Sequence, residues 1–125
     1  MASQGIGVSV PRKEDERFLR GQGQFVGDIR LEGMMEVAFV RSPLAHARIR
    51  DIRVPPDLRE DVYTMDDLDG VRPIVAVSAL PGYKPSKQWP LARNKVRQVG
   101  EPVAMCVAPS RAEAEDLAAE VELDL

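Results

Sequence analysis

The chain has 125 residues, a formal net charge of −3, 44% hydrophobic and 30% charged residues, which suits one globular domain with one core and excludes a disordered chain. No block of like charge exceeds three residues, so a nucleic-acid footprint and a polybasic membrane anchor are excluded. No apolar run nears the roughly 20 residues that cross a bilayer, Met1-Ala-Ser-Gln-Gly-Ile-Gly7 lacks a secretory pattern, and Cys106 is the single cysteine, so a soluble protein of the reducing cytoplasm is expected.

Residues 1–23 carry four glycines and little periodic hydrophobicity; they read as an extended arm, anchored only by Phe18 and Leu19, with the domain proper spanning 24–125. Met35 to Arg41 reads as a strand continuous enough to be buried on both faces. Leu44 to Ile49 reads as a turn re-entering a strand, with Ile49 and Ile52 inward. Pro55-Pro56 stops it, leaving at most a helical turn over Asp57–Glu60. Asp61–Thr64 and Pro73–Val77 read as short strands. Residues 79–95 form the longest irregular stretch, with three of the ten prolines and the one Trp; so long a loop in a compact domain is usually functional or disordered. Lys95–Val99 and Pro102–Ala108 read as strands joined at Gly100-Glu101, where Gly100 suits a positive φ or a bulge. Ser110 with Glu113 predicts a capping box, and Ala114, Leu117, Ala118 and Val121 form the apolar stripe of the helix that follows. Val121 to Leu125 alternates like a strand and stops without a turn, so the parent chain is expected to continue past Leu125.

Several residue groups suggest chemistry. Ser42, His46 and Asp51 supply the residue types of a nucleophilic triad, but spacing does not bring them within reach and no oxyanion-forming elbow surrounds Ser42. His46 is the single histidine and Cys106 has no ligand neighbour, so no metal centre is expected within this chain. Gly5-Ile-Gly7 and Gly21-Gln-Gly23 lack the flanking strand, helix and third glycine of a phosphate cradle. Asp66-Asp67 reads as turn chemistry. Arg outnumbers Lys by 13 to 4, a compositional habit or an Arg-rich interface. Glu101 is positioned to pair with Arg97 or Lys95, or to accept backbone N–H groups at its turn.

Three segments in order, Arg12-Lys-Glu-Asp-Glu-Arg-Phe-Leu-Arg-Gly-Gln-Gly-Gln-Phe25, Val40-Arg-Ser-Pro-Leu-Ala-His-Ala-Arg-Ile49 and Lys95-Val-Arg-Gln-Val-Gly-Glu-Pro-Val-Ala104, carry a resemblance. Together the chain resembles the N-terminal α/β-hammerhead domain of the molybdenum hydroxylases, the xanthine dehydrogenase, aldehyde oxidase and carbon monoxide dehydrogenase family. It departs from that pattern between Val54 and Leu68, where the usual Pro-Gly turn is missing and Met65-Asp66 replaces Gly-Ala.

The resemblance implies an α+β fold: short, mostly antiparallel strands in a bent sheet with one main C-terminal helix. It implies a parent oxidoreductase that takes oxygen from water at a molybdenum-molybdopterin cytosine dinucleotide centre and acts on an aldehyde, an N-heteroaromatic ring or carbon monoxide. Its [2Fe-2S] clusters and FAD are expected on an iron-sulfur small subunit and a FAD medium subunit, which with the remainder of the large subunit are the expected partners. No catalytic, cofactor or metal position falls in this chain, and the isolated domain is expected to be structural and inactive. Leu80, Tyr83 and Trp89 are the candidate substrate-channel loop by analogy with relatives, and Gly100 and Glu101 the candidate structural turn. The alternative is a free-standing hammerhead-fold binding or assembly module without enzymatic activity.

Overall fold

A computed structural model describes Gly7 and residues 9–125, so Gly5 and Ile6 of the first glycine motif lie outside the described residues. The chain forms two compact units, residues 1–33 and 34–125.

The first unit is not simply extended. Asp15–Leu19 form a short helix, α1, held by the pairs Arg12–Asp15 (3.2 Å), Arg17–Glu14 (3.1 Å) and Arg20–Glu16 (2.6 Å). Such i,i+3 and i,i+4 pairs add a few tenths of a kcal/mol each, roughly, and an apolar period does not reveal them. Phe18 stacks on Phe25 with ring centroids 5.6 Å apart, and the space a Cβ would take at Gly23 is occupied by these rings at 3.0 and 3.1 Å.

In the second unit β1 (Glu36–Arg41), β8 (Pro102–Ala108) and β4 (Val62–Tyr63) form an antiparallel sheet in the order β1-β8-β4. Three antiparallel ribbons complete it: β2 (Ala47–Arg48) with β7 (Lys95–Val96), β3 (Asp51–Arg53) with β9 (Glu122–Asp124), and β5 (Ile74–Val75) with β6 (Lys87–Gln88). Helix α2 runs from Arg111 to Ala119 behind its Ser110 cap. Short antiparallel strands with one main helix are the α+β hammerhead architecture.

The expected burial of β1 on both faces is wrong. Its residues alternate, with Val40 buried and Val37 and Phe39 about two-fifths exposed. The register explains the alternation. Ala38 and Val62 oppose Cys106, and Val40 opposes Ala104, on the side where α2 contributes Leu117 and Ala118; Val121, read as part of the helix stripe, joins this core from beyond the helix end. On the other side Val37 opposes Val107, and Phe39 and Tyr63 flank Met105.

The register slips between Val40 and Arg41, which opposes Pro102, so Val103 has no partner in β1. Val103 instead joins Ala92 and Val96 in a second core cluster, while Ala104 and Cys106 stay in the first. One strand thereby furnishes two cores, and Ile52 and Leu123 pack against both.

The stretch 79–95 contains a strand that sequence reading missed: Lys87-Gln88, polar and without alternation, pairs with Ile74-Val75. The strands read at 73–77 and 95–99 are correspondingly shorter, at Ile74–Val75 and Lys95–Val96.

Candidate functional site

The second and third signature segments meet at Ser42. Its N–H donates to the Glu101 carbonyl (3.0 Å), and its carbonyl accepts from Gly100 N–H (2.8 Å). Arg41 Nη1 donates to the Gly100 carbonyl at 2.9 Å. Gly100 has φ +81°, a left-handed conformation that costs a residue with a Cβ roughly 1–2 kcal/mol. The Glu101 carboxylate, nearly buried, accepts the Arg97 backbone N–H through Oε2 and the Arg97 guanidinium through Oε1 (3.3 Å). Burying a carboxylate costs several kcal/mol, roughly, unless donors surround it; here a main-chain donor and a cation do so. Of the partners read for Glu101, the structure provides Arg97 and a turn N–H.

Adjacent backbone bonds lock the same region. Ala92 N–H donates to the Pro102 carbonyl (2.7 Å), and Ile49 N–H to the carbonyl of Asn94 (2.9 Å). Asn94 itself has φ +66°, a region that Asn tolerates better than most residues. The arrangement ties loops together; it offers no nucleophile or acid–base pair.

The triad residues are not assembled. Ser42 is buried, and its hydroxyl donates to the Leu44 carbonyl (2.8 Å) and accepts Leu44 N–H (3.1 Å). Asp51 accepts Ile52 N–H at 3.0 Å and faces Arg53 at 3.5 Å, while His46 is exposed. Cys106 is fully buried, and that burial pushes its thiol up. Among the described residues no group of three His, Cys, Asp or Glu is placed to hold a metal ion. No helix among them is long and apolar enough to cross a membrane.

In the long loop, Leu80 is strongly exposed and Tyr83 is 38% exposed, whereas Trp89 is half-buried. Trp89 follows β6 directly, so the β5–β6 ribbon fixes where its backbone runs.

Sequence reading missed a cleft of about 510 Å³ whose lining includes Ile52, Arg59, Met65, Asp66 and Arg93. Arg59 holds its wall by donating to the Val62 carbonyl (2.6 Å) and to Asp67. Asp67 also accepts the Thr64 N–H (2.7 Å) and hydroxyl (2.8 Å). The Thr64-Met-Asp-Asp67 spacing was the available signal, since Thr or Ser with an acid three residues on caps a helical turn.

Comparison with known proteins gives this geometry its context. Residues 20–125 match the family model for the aldehyde oxidase and xanthine dehydrogenase a/b hammerhead domain. The large subunit of nicotine 6-hydroxylase from Paenarthrobacter nicotinovorans is 40% identical over 96% of this chain and 15% of its own length. The crystal structure of quinoline 2-oxidoreductase from Pseudomonas putida 86 superposes with TM-score 0.82 at 40% identity, covering 95% of this chain and 16% of that one. The Cu,Mo-CO dehydrogenase structure superposes at TM-score 0.75 and 33% identity, over 97% of this chain and 15% of that one. The chain spans about 15% of the length of the curated relatives it matches. Matched over most of its length in sequence and fold, the chain belongs to the aldehyde oxidase and xanthine dehydrogenase family, as its α/β-hammerhead domain.

Proposed function

We propose that this domain is the hammerhead part of a molybdopterin-binding large subunit in a cytoplasmic bacterial molybdenum hydroxylase. The observation that carries the reading is the family match over residues 20–125. The proposed parent reaction places a water-derived oxygen on the carbon of an aldehyde, an N-heteroaromatic ring or carbon monoxide, releasing two electrons and two protons. Molybdopterin cytosine dinucleotide with molybdenum supplies that chemistry when bound, on other parts of the large subunit. The electrons pass to [2Fe-2S] clusters on a small subunit and FAD on a medium subunit.

The domain's own share is architectural, and alone it is inactive. The Ser42, Gly100 and Glu101 contacts hold two loops in fixed register, and Leu80, Tyr83 and Trp89 shape substrate access. The sheet side bearing Val37, Phe39, Tyr63, Met105 and Val107 supports a role within a larger assembly. It is apolar and only partly covered, which suits burial against another protein surface.

The test is made on the endogenous protein, captured through this domain, by measuring intact chain mass and molybdenum, iron and flavin content. A chain several times longer than 125 residues, with molybdenum and with iron-sulfur and flavin subunits, is expected. A short chain without metal or flavin would leave a free-standing binding module instead.

A further inference from the structure

Helix α2 and the 3-10 turn Pro56–Asp61 border a groove of about 400 Å³ in the second unit. Its apolar wall includes Leu58, Ala108, Pro109 and Leu117, its rim carries Asp61, Glu113, Asp116 and Glu120, and no Lys or Arg lines it. Elsewhere in residues 34–125 carboxylates are matched with arginines: Asp51 with Arg53, Asp66 with Arg93, Asp67 with Arg59, Glu101 with Arg97, Glu115 with Arg111. Asp57, Glu60, Asp61, Asp116 and Glu120 make no side-chain hydrogen bond or ion pair among the described residues; the first four lie on the two elements bordering this groove and Glu120 is the C-cap of α2. Within residues 34–125 Asp69 is the other such carboxylate. Glu113 is engaged by the Ser110 cap.

A one-signed rim around an apolar trough repels acidic partners and favours an apolar side chain flanked by cations. We propose that this groove docks a basic amphipathic segment of a partner subunit, an apolar side chain entering against Leu58 and Leu117 while flanking Lys or Arg meet Asp61, Asp116 and Glu120. The proposal rests on the reading of the chain as part of a multi-chain enzyme. Complementary charge sets partner choice and register, and the apolar contact supplies the burial.

The test uses the complete complex, purified through this chain, with Asp61→Lys, Asp116→Lys and Glu120→Lys combined and Asp69→Lys as the control. Subunit release is followed by intact mass across a salt series, with the melting temperature of each variant measured in parallel. The triple variant is expected to release one partner subunit with affinity weakened about tenfold or more, while the control behaves as wild type. Because salt screens exposed charges, wild-type release of that subunit should itself rise with salt. The neutralised pair Asp116→Asn with Glu120→Gln repeats the measurement at smaller perturbation, with weakening of about threefold expected.

Retention of every subunit by the variants at wild-type affinity would overturn the proposal. So would loss of a second copy of this chain alone, or a lowered melting temperature with unchanged subunit affinity, which would put the same polypeptide in the groove. A wild-type protein that purifies as a lone chain overturns the multi-chain reading itself, and the docking proposal with it, before any variant is made.

Discussion

At Asp67, burial pushes the carboxyl up, yet hydrogen bonds from Thr64 N–H, the Arg59 guanidinium and the Thr64 hydroxyl, with the Arg59 charge, bring it below the ordinary carboxylate value. A carboxyl depressed in the folded state stabilises the fold above its unfolded value, and that contribution is lost as pH falls through the depressed one. Asp67→Asn is therefore expected to lower stability at pH 7 and to narrow the gap to wild type in strong acid, as urea unfolding at both pH values would reveal. At Glu101, truncation to Ala leaves the Arg97 N–H without its acceptor, at a cost of about 1–3 kcal/mol by denaturant unfolding. Cys106, its thiol raised by burial, should ignore an aromatic disulfide reagent until the protein is unfolded; rapid reaction in native buffer would contradict the buried position. Gly100 was legible in the sequence because its conformation is a local demand that glycine meets. The Arg59–Asp67 contact was not, because neither residue's spacing announces that they meet across a turn, and the half-burial of Trp89 depends on distant chain in the same way.

Among the elements, α2 carries its own signals. The Ser110 hydroxyl accepts Glu113 N–H at 3.3 Å and the Glu113 carboxylate accepts Ser110 N–H at 3.1 Å, so the helix start could be read from two residues three apart. Ser110→Ala is expected to cost about 1 kcal/mol in thermal or denaturant unfolding. Strand β8 was equally legible, since its seven residues are all apolar and Gly100-Glu101 delimits them. What sequence reading lacked was its register. The slip that releases Val103 to the second cluster depends on Pro102, which has no N–H for the ladder, and on Ala92, whose N–H takes the Pro102 carbonyl from another loop. The β5–β6 ribbon was hidden for the converse reason: Lys87 and Gln88 have no strand signature and become a strand only by pairing. Leu91, buried to 2% exposure beside this region, should cost about 2–5 kcal/mol on truncation to Ala.

For the whole molecule, family and fold class were legible because three separated segments carry one signature. Which surfaces stay open was not, because exposure depends on sheet pairing and not on hydrophobicity. If the second unit functions within a larger assembly, Phe39 and Tyr63 should be protected from hydroxyl-radical labelling in the complete enzyme, although they are 40% and 37% exposed in this chain. The order in which the chain is synthesised bears on the same ladders. Strand β1 pairs with residues 102–108, β2 with 95–96 and β3 with 122–124. Within residues 34–125, strands β1 to β4 therefore cannot pair until residues 95–124 have left the ribosome. During that interval Val40, Val62 and Ile52 lack their partners, so the growing polypeptide is a natural client for chaperones, and protease sensitivity should persist until translation passes β9.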